Sequence, residues 1–323
     1  MNPRQSMRIL LVKTSSLGDV VHNLPVVTDI CQAYPDAQID WVVEEGFAEL
    51  PRLHHGVNRV IPVALRRWRK NLLSASTWRE MRIFRQAIQA TDYDLVLDTQ
   101  GLIKSSLLAR LAHGPRSGYG RQSAREPMAS HWYERCFDVA RDLHAVVRNR
   151  QLAALALGYS VPEVLDYGLT THPFTTHDTP TAILLTATSR DDKLWPEQDW
   201  IALGQDLARR GLRCLLPGGS AIERERATRL AASIPGAVAL PRKNLTELAE
   251  LLAAATIVIG VDTGLVHLAA ALDRPTIAIF CASNPGLTGV LAGGQNTGKA
   301  VNLGRLGEPP KLHQVLAAVE QLL

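Results

Sequence analysis

The chain has 323 residues, 46% of them hydrophobic and 20% charged, which excludes a disordered chain and suits two domains of ordinary size. A formal net charge of only +4 is too little for a non-specific nucleic-acid binder, so where the positive charge sits matters more than its total. The four cysteines, Cys31, Cys136, Cys214 and Cys281, form no C-x-x-C pair, which argues against a zinc site or a disulfide framework and fits a reducing cytoplasm.

Met1 to Met7 is polar, with no apolar h-region, so no secretory signal is expected. No apolar run approaches the ~20 residues needed to span a bilayer. Arg8 to Lys13 (RILLVK) reads as a buried strand, closed by Ser15-Ser16 and Gly18. Val20 to Tyr34 carries helical spacing with a kink or restart at Pro25. Strands follow at Gln38–Val43 and Arg59–Ala64, a helix at Trp78–Thr91, a strand at Tyr93–Thr99 and a helix at Leu102–Ala112. Alternation of this kind predicts a parallel, doubly wound sheet.

The pattern thins from about Leu157 to Thr181, and the polar, proline-bearing Thr171–Pro180 reads as an interdomain linker. Strands then recur at Ala182–Thr186, Arg213–Leu216, Thr256–Val261 and Thr276–Phe280. Between them lie helices at Trp200–Arg210, Glu223–Ala232, Leu245–Ala255 and Leu265–Leu272, and Lys311–Leu323 reads as a closing helix. The expected fold is α/β, with two Rossmann-like doubly wound domains facing a central cleft, spanning 1–170 and 181–323.

Strand carboxyl ends are where such sheets place ligands, which singles out four loops. Lys13 to Asp19 is neither a P-loop nor G-x-G-x-x-G. Asp19 stands at a helix start, where a capping or first-turn acid and a catalytic carboxylate are equally good readings. Thr186 to Pro196 sets hydroxyls beside Arg190 and Lys193, which suits a diphosphate. Val258 to Ala270 runs a strand into Asp262-Thr263-Gly264 and a helix bearing His267. Small residues there leave room for phosphate near backbone amides, whereas a lone helix histidine such as His267 is more often structural. Arg66-Arg67-Trp68-Arg69-Lys70 is either a solvated basic loop or a surface for a polyanion. Glu223, after Pro217-Gly218-Gly219, is a helix-start acid able to hold sugar hydroxyls.

Several stretches together resemble the bacterial lipopolysaccharide heptosyltransferases, glycosyltransferase family 9, and within them the type I enzymes. They are VKTSSLGDVVHNLP (Val12–Pro25), DWVVEEGF (Asp40–Phe47), IPVALRRWRK (Ile61–Lys70), DTQGLIKSSLLARLAHG (Asp98–Gly114), AREP (Ala124–Pro127), TSRDDKLWPE (Thr188–Glu197) and VDTGLVHLAAALDRP (Val261–Pro275). The resemblance implies a GT-B enzyme that moves heptose, with inversion, from ADP-L-glycero-β-D-manno-heptose to the first Kdo of Kdo2-lipid A. It implies Asp19 as general base. It places Lys13, Thr188, Ser189, Lys193, Glu223, Lys243, Asp262, Thr263, Gly264 and His267 on the donor, with 181–323 as the donor domain. Arg66, Arg67, Lys70, Lys104 and Arg125 fall to the acceptor, in 1–170.

The resemblance further implies no metal or other cofactor, and no acidic D-x-D loop for a nucleotide-bound cation is read. It implies a peripheral place on the cytoplasmic face of the inner membrane, no nucleic-acid partner, and a closing helix turned back toward the first domain. Ser189 departs from a threonine, and Lys243 stands where a relative has an apolar residue by the adenine. Two other readings are an enzyme adding a later core heptose and a non-enzymatic nucleotide-binding adaptor.

Overall fold

The computed structural model describes residues 6–171, 179–188, 190–294 and 299–323. The chain divides into two compact units, Met1–Glu163 and Val164–Leu323. The division falls upstream of the linker expected from the sequence. Leu165 and Tyr167 already bond within the second unit, at 2.8 Å from Gly294 N to Leu165 O and 2.9 Å from Tyr167 Oη to Leu291 O. Residues 172–178 of the expected linker lie outside the described residues.

In the first unit β1 (Arg8–Val12) leads to α1 (Leu17–Val21) and α2 (Leu24–Ala33). Then come β2 (Gln38–Glu44), α3 (Glu49–Arg52), β3 (Val57–Val63), α4 (Leu65–Trp68) and α5 (Ala75–Gln89). The unit closes with β4 (Leu95–Asp98), α6 (Ile103–Ala109), β5 (Arg116–Tyr119), β6 (Arg135–Phe137) and α7 (Ala145–Leu157). The strands are parallel in the order β3-β2-β1-β4-β5-β6. That order reverses between β1 and β4, the switch point at which doubly wound sheets bind ligands.

The helix expected over Val20–Tyr34 is two helices, because Asn23 opens α2 and Pro25 fills its first turn, where a missing N–H costs nothing. Strands β5 and β6 and helix α7 were not foreseen. RSGY and RCF carry too few apolar residues to announce strands, and their pairing is supplied in succession, β5 by β4 and β6 by β5.

The second unit contains β7 (Thr181–Leu185), α8 (Glu197–Arg209), β8 (Arg213–Leu216), α9 (Ala221–Ala232), β9 (Val238–Ala239) and α10 (Leu245–Ala253). It continues through β10 (Ile257–Val261), α11 (Gly264–Ala271), β11 (Thr276–Phe280), α12 (Pro285–Thr288), β12 (Ala300–Gly304) and α13 (Leu312–Leu322). Its sheet, β12-β11-β10-β7-β8-β9, repeats the first order counted from its own first strand. The closing helix α13 buries Val315, Ala318 and Val319 in the second unit's core beside Trp200 and Ile279.

Candidate active site

In each unit the candidate loops all follow strand carboxyl ends. All strands of a sheet run the same way, so the loops share one edge. The loop after β1 is fixed first by the backbone: Glu44 N donates to Thr14 O at 3.0 Å, and Trp41 Nε1 to Lys13 O at 3.1 Å. A side chain from the loop after β4 completes the clamp. Gln100 Oε1 accepts from Thr14 N at 2.7 Å and Thr14 Oγ1 at 2.8 Å, while its Nε2 donates to Ser15 O at 2.9 Å.

Gln100 is itself held, because its backbone N–H donates to Asp98 Oδ1 at 2.8 Å. The turn then needs the left-handed backbone of Gly101 (φ 65°), which glycine adopts at little cost. The other Asp98 oxygen accepts from Tyr133 Oη at 2.7 Å. Burial raises the Asp98 pKa, against hydrogen bonds from Ser105, Tyr133 and the amides of Gln100 and Gly101.

Lys13 is buried, donating to Thr99 O at 2.9 Å and lying 3.5 Å from Asn149 Oδ1. Burial lowers its pKa, and the charges of Asp19 and Asp98 oppose that shift without cancelling it. Lys13 therefore sits beneath the first unit's loop. Asp19 Oδ2 accepts from Ser16 N at 2.7 Å and Ser16 Oγ at 3.0 Å, so the capping reading is realised. The carboxylate remains partly exposed, which leaves it accessible to a proton donor. Beside it Lys104 Nζ reaches Ser15 Oγ at 3.2 Å. Arg125 is exposed, and its charge is felt at Lys13.

The basic run after β3 does not act as one patch. Arg67 Nε and Nη2 hold Glu45 at 3.0 and 2.9 Å, and its Nη1 lies 2.8 Å from Glu80 Oε2. Its hydrogen bonds to the Glu45 and Glu80 carboxylates push the Arg67 pKa above its ordinary value. This charge is already met by two carboxylates. Trp68 is buried, with Nε1 donating to Glu80 Oε2 at 2.7 Å. Arg66 sits over the Phe47 ring at 5.2 Å, with its backbone N–H on Glu44 Oε1 at 3.0 Å. Lys70 is exposed.

In the second unit the β7 and β10 loops are joined through one carboxylate. Lys193 Nζ lies 2.6 Å from Asp262 Oδ2, the same oxygen accepts from Ser283 Oγ, and His267 Nε2 is 3.5 Å from Oδ1. Burial alone would raise the Asp262 pKa. Hydrogen bonds from His267, Lys193 and Ser283 reverse this and hold the carboxyl far below the usual range. Thr188 Oγ1 donates to Asp262 O at 3.3 Å, and Thr263 caps α11 without a side-chain bond to the Gly264 turn. The arrangement offers an ammonium and helix-start amides to a diphosphate.

Glu223 caps α9, its Oε2 accepting from Gly219 N and Ser220 N, both at 2.8 Å. Lys243 Nζ lies 3.7 Å from Glu247 Oε1. Ser189 lies outside the described residues. Sequence reasoning missed Gln100, Asp98 and Ser283. Each stands within two or three residues past a strand's carboxyl end or at its last residue, a positional signal that a search for charged motifs passes over. It also missed an Asp-x-Asp string, Asp92-Tyr93-Asp94. That string precedes β4, at the opposite edge from the loops, where Asp94 Oδ2 accepts from Arg8 N at 2.8 Å and Tyr93 Oη donates to Asp40 at 2.8 Å.

A family model, glycosyltransferase family 9 (heptosyltransferase), matches residues 81–315. The chain is 51% identical over 288 residues to lipopolysaccharide heptosyltransferase 1 of Escherichia coli (strain K12), covering 88% of this chain and 90% of that protein. The solved E. coli heptosyltransferase WaaC with ADP superposes with a TM-score of 0.90 at 46% identity, over 98% of this chain and 100% of that one. The same enzyme with ADP-2-deoxy-2-fluoro heptose gives a TM-score of 0.84 at 46% identity, over 98% of each chain.

Proposed function

The chain belongs to glycosyltransferase family 9, the heptosyltransferases, and from that premise we propose that it transfers L-glycero-D-manno-heptose from ADP-heptose to the first Kdo of Kdo2-lipid A. The observation that carries this reading is its near full-length similarity to heptosyltransferase 1 and to that enzyme solved with ADP and with an ADP-heptose analogue. The first unit supplies a base. Asp19 takes the proton of the acceptor hydroxyl while its oxygen attacks the anomeric carbon opposite the departing ADP, which inverts that centre. A positioned base of this kind contributes ~10²–10⁴-fold. Lys104, Arg125, Arg66 and Lys70 offer cations to Kdo carboxylates and lipid phosphates.

The second unit supplies charge stabilisation. Lys193 and the helix-start amides of α11 offset the charge gathering on ADP, with Asp262, His267 and Ser283 fixing the lysine. The proposal needs no metal. No helix among the described residues is long and apolar enough to cross a membrane, and the proposed site of action is the cytoplasmic face of the inner membrane, reached from the side. The test is transfer by purified protein, followed by mass spectrometry of the lipid. A one-heptose gain on Kdo2-lipid A supports the reading. No gain there, with transfer to an already heptosylated core, replaces it with a later-acting enzyme.

A further inference from the structure

Between Arg66 and Ala90 the chain carries seven basic residues and a single acidic one, Glu80. Glu80 is occupied by Arg67 and Trp68, so Arg69, Lys70, Arg79, Arg82 and Arg85 stand exposed with no nearby carboxylate from this segment. On the same segment four large apolar side chains face solvent: Leu72 is 51% exposed, Leu73 103%, Trp78 59% and Ile83 57%. An exposed leucine alone needs no explanation. Two at a turn, joined to an exposed tryptophan on a segment rich in exposed cations, do.

The prominence is built. Trp78 Nε1 donates to Leu72 O at 2.8 Å, and Ser74 N to Asn71 O at 3.1 Å, so the indole fixes the turn that presents both leucines. Beneath it Trp68 and Phe84 are buried edge to face, with centroids 6.0 Å apart. A polyanion such as nucleic acid would use the cations and leave the leucines in water. An anionic lipid surface satisfies both, through charge at the headgroups and apolar side chains below them.

The position fits as well. The segment follows β3 at the edge of the sheet that also carries the Asp19 loop after β1. Only β2 separates those strands, a spacing of roughly 10 Å. The two loops are linked through one residue, because Glu44 N donates to Thr14 O and Glu44 Oε1 accepts from Arg66 N, both at 3.0 Å.

We propose that Leu72, Leu73 and Trp78 form a wedge that enters the headgroup region of an anionic bilayer, held there by Arg69, Lys70, Arg79, Arg82 and Arg85. The proposal deepens the reading of a lipid-borne acceptor and rests on it for its purpose, yet its test does not need turnover. The full chain is sedimented with vesicles of phosphatidylcholine alone and of phosphatidylcholine with phosphatidylglycerol. Binding is expected only to the second. It should weaken about tenfold in the Leu72→Ser, Leu73→Ser double variant, and about fivefold for each charge lost in Arg82→Gln, Arg85→Gln.

Trp78 emission should shift to the blue on binding, and the shift should vanish in Trp78→Phe. Binding that ignores the leucine substitutions, or no binding to anionic vesicles, overturns the wedge. Transfer to a soluble Kdo-bearing acceptor without lipid chains should be unchanged in the leucine variant, and its loss there also overturns it. Absence of transfer in the unaltered protein, with vesicle binding intact, would count against the proposed activity and leave the wedge standing.

Discussion

Asp19 and Ser16 share two hydrogen bonds, from the amide and the hydroxyl of Ser16 to one oxygen of the Asp19 carboxylate, at 2.7 and 3.0 Å. The same side chain thus starts α1 and is the proposed base, and the two roles separate by substitution. Asp19→Asn keeps an oxygen acceptor for Ser16, so stability in urea should stay within about 1 kcal/mol of the parent. Transfer should fall ~10²–10⁴-fold, with ADP binding by calorimetry intact. Full turnover in Asp19→Asn would leave only the cap.

Gln100 ties the β1 loop to the β4 loop through three hydrogen bonds. Gln100→Leu preserves size but strands the buried Thr14 amide, at a cost of about 1–3 kcal/mol. The loop that carries Asp19 should then lose its fixed position, and kcat should drop about tenfold or more. The Kd for ADP should not move. An equal loss in ADP affinity would show that the substitution had damaged more than this loop.

The Asp262 carboxyl titrates far below its ordinary value of 3.8. A depressed acid stabilises the fold fully above the unfolded-state pKa, and that contribution is lost as pH falls beneath it. Asp262→Asn should therefore be less stable than the parent at neutral pH. The gap should close as pH drops below about 4. Urea midpoints measured against pH check this, and a gap that persists undiminished down to about pH 2 would contradict it.

Arg67 is held by Glu45 and Glu80, whereas Lys70 is exposed. Arg67→Ala should broaden or lower the melting transition and leave the acceptor KM within about twofold, as befits an exposed ion pair of small net value. Lys70→Ala should raise the acceptor KM several-fold and leave melting alone. A reversal of those two outcomes would place Arg67, and not Lys70, on the acceptor.

Turnover should survive EDTA, because the proposed charge offset comes from Lys193 and helix amides. Complete loss, restored by Mg²⁺, would overturn that assignment. The assay is initial rate with and without chelator.

Much of the fold is legible because local pattern and tertiary role agree. RILLV is apolar on both faces, as a strand buried on both sides must be, and Leu10 and Leu11 are indeed fully buried. AVNLG at β12 and RSGY at β5 offer no such pattern, since each is recruited by the strand beside it. In the site, the Ser-x-x-Asp spacing announces the cap at Asp19. Nothing local announces Gln100, whose partner Thr14 lies 86 positions away and meets it only through the pairing of β1 with β4. The neutralisation of Arg67 is hidden for the same reason, because Glu45 reaches it from the end of β2. Charge counts in a sequence overstate the free charge of a fold.

In the proposed donor site the Lys193 ammonium is already met by the Asp262 carboxylate, at 2.6 Å. A bare ammonium in that position would gather any passing phosphate from a crowded solution. A lysine already satisfied by an internal carboxylate, with Ser283 steadying the same oxygen, gives a weakly charged newcomer little to gain. A ligand that brings two phosphates, and that meets the helix amides as well, is the better competitor for that lysine. On the proposed reading the ion pair would act as a discriminator, raising the threshold for occupancy and favouring diphosphates over single phosphates.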